Sequence, residues 1–433
     1  MTFRKLLLLL PCLALEMGYA APPPESPFHM PQPPFFGQVR VRTEYDSKDV
    51  RDTLANEPFL NSQLRTRLGF CAVPSPNVEI KVELQDVRIM GSEPASVPAN
   101  PATATSGNAK GVDLLQGYLA VEGGPFKTAL GRQKMSLGSG RYLSTLEWSP
   151  TSRAFDGVSF NLNLEPGNLT GLAYLVKDTG ATTTEDRVLL TGLYYSHALT
   201  PDFLADVYSF YDHSTLPATY SGLVSQNYDL YYLGERLAGK VGVFAFEEEF
   251  IWQMGNVQTA TGENTSAAFQ LATRAGVVLG AHKVNAGVDV MSGDDDAADD
   301  DATAYRANYY FAHAYYGWMD YFVNNPAFGV VDYRLDGDFG FLPGPSGASR
   351  VSFKPQYHFF TPQAAPSGSD EPYGQEIDLE LHVAWYPKSN IVFGAAAFFP
   401  GDSASRLPAA KITDPAYSSQ PGWFLYFMPT FSF

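Results

Sequence analysis

Residues 78–85 read VEIKVELQ, an unbroken alternation of apolar and charged or polar side chains. Successive side chains of a β-strand point to opposite faces of the sheet, so this stretch predicts a strand with one apolar and one polar face. The same period recurs in residues 38–45, 332–336, 350–354 and 376–383. In a soluble sandwich such apolar faces meet in a core, whereas in an outer-membrane barrel they face lipid. The period alone leaves both architectures open.

The beginning of the chain favours the second architecture. A basic start precedes an apolar run at residues 6–10, and small residues surround Ala20, which is typical of a secretory signal peptide. A lipid anchor on Cys12 is the other interpretation, but Pro11 and the short apolar run disfavour it. No later stretch has the roughly 18 apolar residues of a membrane-spanning helix. An exported chain of alternating strands without such a helix indicates a bacterial outer-membrane barrel.

The chain divides into three predicted regions. We expect a signal peptide at residues 1–20, a proline-rich periplasmic leader at 21–35 and an outer-membrane β-barrel at 36–433. The alternation continues on both sides of every candidate boundary after residue 36, which predicts one domain. Once the signal is removed, Cys71 is the only cysteine, so hydrogen bonds and burial must hold the fold without an internal disulfide. The high aromatic content, 14% of residues, suits the aromatic girdles of such barrels.

The fold class that we predict is all-β, a single antiparallel transmembrane barrel of about 18 strands, with 16 as the alternative. The predicted strands are residues 36–45, 60–70, 78–88, 113–121, 126–133, 155–163, 169–177, 187–197, 203–211, 226–235, 240–253, 267–277, 282–291, 328–340, 349–360, 374–386, 389–399 and 422–433. Short joins, which include residues 236–239, alternate with long ones. In such barrels the short joins are periplasmic turns and the long ones extracellular loops, and an even count leaves both ends in the periplasm.

A set of short motifs occurs in order along the chain. They are LGRQ at 130–133, GSGR at 138–141, RAFDG at 153–157, HAYYG at 313–317 and GQEIDL at 374–379. This ordered set resembles the alginate-export porin family over residues 36 to 433. The resemblance implies a monomeric eighteen-stranded barrel with a lumen lined by arginines and lysines, through which an anionic polyuronate leaves the cell. One fold serves many functions, so the fold transfers more securely than the substrate.

The polar phase of the predicted strands supplies candidate pore-lining cations. These are Arg40, Arg42, Arg65, Arg67, Lys81, Arg274, Arg334, Arg350 and Lys354. Fixed cations in a narrow passage favour anions, and the arginine fork can bind both oxygens of a carboxylate. The same faces also carry carboxylates such as Glu44, Glu83 and Asp336. In the alternative interpretation these carboxylates pair with the arginines, stiffen the wall and leave little net field.

Three more arginines belong to, or lie beside, the family-like motifs. We assign Arg132, Arg141 and Arg153 as pore-lining or substrate-binding, because the long loop that follows residue 133 can fold into the pore. The strand phase at Arg132 is ambiguous, since Gln133 falls on the opposite face. The aromatic block 313–320 predicts a lid or plug within the long loop 292–327.

The sequence gives only weak indications of metal binding or catalysis. Asp294, Asp295 and Asp296 begin an acidic loop whose oxygen ligands suit calcium, but the spacing is not that of a known calcium loop and a solvated loop is favoured. We expect no cofactor. An enzyme is the hypothesis from a different class, and the chain lacks a Gly-x-Ser-x-Gly elbow, a His-Glu-x-x-His pair and a phosphate loop. A structural or adhesive barrel with a closed lumen is a further alternative.

The predicted function is a passive, anion-selective channel in the outer membrane of a Gram-negative bacterium that conducts an acidic polysaccharide such as alginate outward. The alternative is a porin for uptake of small anionic or sugar-like solutes. The expected partners are outer-membrane lipid, the transported anion and, for polymer export, periplasmic export proteins, with no nucleic acid.

Overall fold

The computed structural model describes most of the predicted barrel. The described residues are 34–47, 59–90, 111–178, 187–216, 227–258, 262–296, 299–343, 349–365, 371–386, 388–404, 407 and 421–433. The predicted signal peptide and residues 21–33 of the predicted leader lie outside this part of the chain.

One antiparallel sheet closes into a barrel of eighteen strands. The barrel strands are β1 (Phe35–Ser47), β2 (Phe59–Ser75), β3 (Val78–Ile89), β4 (Asp113–Gly123), β5 (Phe126–Gln133), β6 (Phe155–Asn163), β7 (Gly167–Asp178), β8 (Arg187–Thr200), β9 (Phe203–Thr215), β10 (Asn227–Val241), β11 (Phe244–Gln258), β12 (Glu263–Leu279), β13 (His282–Met291), β15 (Val330–Pro343), β16 (Ser349–Thr361), β17 (Gly374–Tyr386), β18 (Ser389–Pro400) and β19 (Gly422–Ser432). A two-residue strand, β14 (Asp301–Ala302), runs parallel to β12 and adds nothing to the ring.

The barrel is closed by the pairing of its first and last strands. β1 pairs with β19 in antiparallel register, and Gly37 and Phe433 exchange backbone hydrogen bonds of 3.1 and 3.0 Å. A closed ring leaves no sheet edge, as a membrane demands, because hydrocarbon offers no partner to an unpaired backbone group. The count of eighteen predicted from the sequence is confirmed, and the alternative of sixteen is excluded.

The predicted turn at residues 236–239 is wrong, because these residues lie within β10. The turn is at 242–243, where Gly242 adopts the left-handed conformation with φ of 61°. Gly239 marks a close approach instead: a Cβ there would lie 2.7 Å from the Phe203 ring. A glycine that leaves space for a neighbouring ring cannot be distinguished in the sequence from a glycine that forms a turn, and this is why the predicted turn was misplaced. We name the end of the barrel with this turn the short-turn end, and the opposite end the loop end.

The two faces of the sheet differ sharply in polarity. The outer face exposes large apolar side chains such as Val39 and Leu130, whereas the lumen face carries buried polar groups such as Arg40 on β1 and Gln133 on β5, together with buried rings such as Phe210 on β9. A period of two puts alternate residues on opposite faces, so the register fixes which side chains meet lipid and which meet the lumen.

Two long connections fold into the lumen. Residues 134–154, which join β5 to β6, form the first lumen segment, and residues 303–329, which join β14 to β15, form the second lumen segment. The second segment includes a short 3₁₀ helix at Ala312–Ala314. No helix in the described residues is long and apolar enough to cross a membrane.

The core of the molecule therefore lies inside the barrel. It is an aromatic cluster in which rings of the second lumen segment pack on rings of the wall. Its members include Tyr142, Phe155, Tyr174, Phe210, Tyr228, Tyr232, Tyr305, Tyr309, Tyr310, Tyr315, Tyr316, Phe322, Phe360 and Tyr373. The aromatic block 313–320 thus packs within the lumen, as a plug does.

Candidate channel constriction

A cavity of about 490 Å³ remains between the lumen segments and the wall. Four cations line it, Arg40, Arg65, Arg67 and Lys134, against two carboxylates, Glu147 and Glu380. Its other walls include indole and phenyl rings from both lumen segments. Lysine and arginine side chains thus outnumber carboxylates in the lining by four to two.

Strand register brings the arginines together. β1 and β2 pair Arg40 directly with Arg65, and Gln38 directly with Arg67. Like charges opposite one another in a sheet destabilise it unless other groups compensate. All three guanidinium groups are therefore directed at the first lumen segment, which supplies oxygen acceptors.

The acceptors for the arginines are mostly backbone carbonyls. Arg40 donates to the carbonyl of Glu147 at 2.8 Å and to that of Ser149 at 3.0 Å. Arg65 donates to the same Glu147 carbonyl at 3.0 Å, and Arg42 donates to the carbonyl of Trp148 at 2.6 Å. Three consecutive residues of the first lumen segment are thus held by arginines of the wall.

The carboxylate of Glu147 is the main counter-charge. Its oxygens lie 3.0 Å from the Lys134 ammonium, 2.9 Å from Arg67 and 3.4 Å from Arg65. Burial within the lumen opposes the charged form, yet the three cations together hold the pKa of Glu147 well below its usual range. Glu147 thus remains an anion in the cation cluster.

Trp148 connects the two lumen segments. Its indole stacks on the His313 imidazole with 3.8 Å between ring centroids and an angle of 8° between the planes. The Arg42 guanidinium lies 4.4 Å from the indole centroid, which is a cation–π distance. The Tyr426 ring of β19 meets the indole edge-on at 5.0 Å.

A second group of arginines forms buried ion pairs. Arg141 lies 2.8 Å from Asp289, and its guanidinium lies 3.8 Å from the Tyr315 ring. Arg334 lies 3.6 Å from Asp289 and 3.4 Å from Asp336, which also contacts Arg274. For these arginines the contacts are those of the alternative interpretation, in which carboxylates of the lumen face pair with the arginines and stiffen the wall.

Arg153 positions the lumen segments. Its guanidinium donates to the carbonyl of Tyr309 and, at 3.3 Å, to that of Ser144. The side chain therefore joins the first lumen segment to the second.

The assignment of Arg132 to the pore lining is wrong. Arg132 lies on the outer face with Leu130, and its guanidinium donates to Asp156 at 2.6 Å and to the backbone carbonyl of Leu114 at 2.8 Å. Gln133 and Ala129 hold the lumen face of β5 and are fully buried. On β5 the buried, lumen-facing positions are the odd-numbered residues 129 and 133, so the even-numbered Arg132 faces outward.

The remaining candidate cations have the lumen phase but lie outside the cavity. The Lys81 ammonium is 5.2 Å from the centroid of the Phe36 ring, and Lys354 is 3.8 Å from Asp338. Arg350, near the start of β16, is exposed.

The sequence alone does not single out Lys134 and Glu147. The feature that points to these two residues is their position in the loop that follows the family-like motif at 130–133, because this loop is predicted to fold into the pore.

For the acidic loop that begins at Asp294, the sequence favours a solvated loop over a calcium site. Asp294, Asp295 and Asp296 are described, and no group of three or more His, Cys, Asp or Glu side chains placed to hold a metal ion occurs in the described part of the chain. The backbone N–H of Asp294 donates to the carbonyl of Ala327 at 2.7 Å, which ties this stretch to the second lumen segment.

A closed eighteen-stranded barrel with an apolar outer face and with charged and polar side chains in its lumen is a channel of the Gram-negative outer membrane. The family profile described as alginate export matches residues 34–325. The chain belongs to the alginate export family.

Solved structures share the fold at low sequence identity. OccK3 (OpdO) of Pseudomonas aeruginosa is 14% identical with a TM-score of 0.59, covering 92% of this chain and 95% of that chain. OccAB1 of Acinetobacter baumannii is 11% identical with a TM-score of 0.60, covering 92% and 96%. OpdK of Pseudomonas aeruginosa, solved with vanillate, is 13% identical with a TM-score of 0.57, covering 92% and 99%. No curated protein sequence gives a significant match.

Proposed function

We propose that this chain is a passive, anion-selective channel that conducts an acidic polysaccharide such as alginate out of the cell. The observation that carries the proposal is the cation cluster at the cavity, where Arg40, Arg65, Arg67 and Lys134 outnumber two carboxylates. Fixed positive charge in a passage with low-dielectric walls lowers the energy of an anion there and raises that of a cation. Family membership supports the polymer as the cargo.

The hydrogen bonds of the cluster suggest how a carboxylate passes. Arg40 and Arg65 donate to neutral carbonyl oxygens of the first lumen segment. Hydrogen bonds between two charged partners are roughly twice as strong as neutral ones. An incoming uronate carboxylate therefore competes well for these guanidinium groups. Each exchange both binds the sugar acid and releases one of the contacts that hold the segment in the lumen.

Polymer export requires more space than the cavity provides. The first lumen segment is held by the arginines and by the stack of Trp148 on His313, so both sets of contacts must yield before a polysaccharide chain can pass. Periplasmic export proteins that feed the polymer into the short-turn end complete the proposal. A monomer suffices for the whole path.

The alternative function is uptake of small anionic or sugar-like solutes. The cavity of about 490 Å³ falls within the usual range of small-molecule sites, roughly 300 to 1,000 Å³. OpdK, which has the same fold, was solved with vanillate, a small organic anion. In this case the lumen segments remain in place and the cavity acts as a filter.

The test is single-channel current in a planar bilayer under a salt gradient, with and without polyuronate. We expect a reversal potential that shows preference for anions, and we expect added polyuronate to block the single-channel current. The double variant Arg65→Gln with Arg67→Gln should lose much of the anion preference. Arg132→Gln, an ion-paired arginine of the outer face, is the matched control and should behave as wild type. Cation preference in the wild type contradicts the proposal.

Efflux from vesicles separates the two functions. Vesicles that contain the protein are loaded with labelled polyuronate or with galacturonate, and release is followed over time. Release of the polymer supports export. Release of galacturonate alone supports the uptake porin.

A further inference from the structure

Two neutral side chains of the cavity wall adjoin the arginines across neighbouring strands. Asn390 of β18 is directly opposite Thr430 of β19. Thr430 is in turn opposite Arg40 of β1, and the other neighbour of Arg40 is Arg65 of β2. All four side chains line the cavity. Because neighbouring strands lie about 4.8 Å apart, an amide, a hydroxyl and two guanidinium groups follow one another in a single row.

This asparagine and threonine do not satisfy one another. A cross-strand pair of the same two residue types occurs elsewhere in the lumen, at Asn161 of β6 and Thr170 of β7, where the amide donates to the hydroxyl at 3.1 Å. In the part of the chain that the structure describes, neither Asn390 nor Thr430 makes a side-chain hydrogen bond. Their donors and acceptors are therefore directed at the space of the cavity.

The other amide, hydroxyl and charged side chains of the lining have partners in the protein. These contacts include those of Gln38 with Arg65, Ser136 with Thr145, and His382 with Glu380. A ligand can thus engage Asn390 and Thr430 without breaking a contact between side chains. Water solvates these two groups when no ligand is bound, and a hydroxyl of a ligand can replace that water.

The pair can distinguish one carboxylic acid from another of the same charge. Guanidinium groups bind any carboxylate, and the rings of Trp148 and Trp318 in the lining offer apolar contact to any ring. A sugar acid carries hydroxyls beside its carboxylate, and an amide and a hydroxyl both donate to and accept from such groups. The carboxylate of one sugar ring can therefore reach Arg40 while its hydroxyls reach Thr430 and Asn390.

We propose that Asn390 and Thr430 form a hydroxyl-binding subsite that makes the constriction prefer sugar acids over other carboxylates of equal charge. This inference rests on the proposed function, because the arginines must hold the carboxylate. β17 ends at Tyr386 and β18 begins at Ser389, so the pair lies near the short-turn end. A polymer that enters from this end meets the subsite together with the arginines.

The test compares two ring acids of the same charge in ligand-observed NMR titrations of the full-length protein in detergent micelles. Methyl α-glucuronide carries ring hydroxyls, whereas tetrahydropyran-2-carboxylate has the same ring without them. We expect the glucuronide to bind about tenfold more tightly, as two additional hydrogen bonds of ordinary net strength imply. In the double variant Asn390→Leu with Thr430→Val, the affinity for the glucuronide should fall to that for the hydroxyl-free acid.

The matched control is Asn161→Leu with Thr170→Val, which removes the same two groups from the pair outside the cavity and should keep the preference. Circular dichroism verifies folding of both variants. Equal affinities for the two acids in the wild type overturn the inference and leave the anion site intact. A preference that survives in the Asn390 and Thr430 variant also overturns it. If neither acid binds to the wild type, the anion site itself fails, and the proposed function fails with it.

Discussion

Glu147→Gln tests the electrostatic account of the constriction most directly. The substitution keeps the shape of the side chain and its capacity to accept hydrogen bonds, and it removes one negative charge from among Lys134, Arg67 and Arg65. The cavity lining then changes from four cations against two carboxylates to four against one. We expect anion preference to increase.

The magnitude follows from Coulomb's law. The interaction energy between a monovalent ion and a carboxylate about 8 Å away in water is about 0.5 kcal/mol, and 0.1 M salt roughly halves it. The anion gains what the cation loses, so the difference between them changes by about 0.5 to 1 kcal/mol. That range corresponds to an increase of about twofold to fivefold in the ratio of anion to cation permeability.

The assay is the reversal potential of single channels under a salt gradient. Glu147→Asp keeps the charge and should stay near wild type. Glu122→Gln, which removes a carboxylate 2.7 Å from Lys127 and distant from the cavity, is the matched control and should have no effect. An unchanged or lower anion preference in Glu147→Gln would refute the assignment of Glu147 as the counter-charge of the constriction.

Three further predictions concern the lumen segments. Trp148→Ala removes the 3.8 Å stack on His313 and should raise single-channel conductance, whereas Trp252→Ala on the outer face should not. Arg141→Met leaves Asp289 buried with only the more distant Arg334, and should cost about 3 kcal/mol, measured as earlier unfolding in urea. A depressed carboxyl pKa keeps Glu147 charged until the pH falls below that lowered value, so the effect of Glu147→Gln should be as large at about pH 4 as at pH 7. A carboxyl with an ordinary pKa would be about half protonated at about pH 4. A smaller effect of Glu147→Gln at about pH 4 than at pH 7 would therefore contradict the lowered pKa of Glu147.

The barrel follows from local pattern. Residues 78–85 alternate without interruption, and the structure places them on β3 with Glu83 and Gln85 in the lumen and Val82 and Leu84 on the outer face. A period of two is a property of each strand alone, so it can be recognised without knowledge of the neighbouring strands. The exceptions are positions where the period is blurred, such as Arg132, or where a glycine has two possible causes, such as Gly239.

The candidate site depends on contacts that no local pattern contains. Arg40 and the carbonyl of Glu147 are 107 residues apart, and Arg153 reaches a carbonyl 156 residues away. Whether an arginine of the lumen face meets a carboxylate or a carbonyl depends on which loop folds against it. Arg334 and Arg40 share the same alternating pattern, yet one forms buried ion pairs and the other holds the first lumen segment.

The sequence by itself determined the strands, their number and the polarity of their faces, because these depend on side chains one and two positions apart. Only the tertiary structure decided the contents of the lumen and the placement of Glu147 among three cations, because closure of the barrel brings residues together from distant parts of the chain.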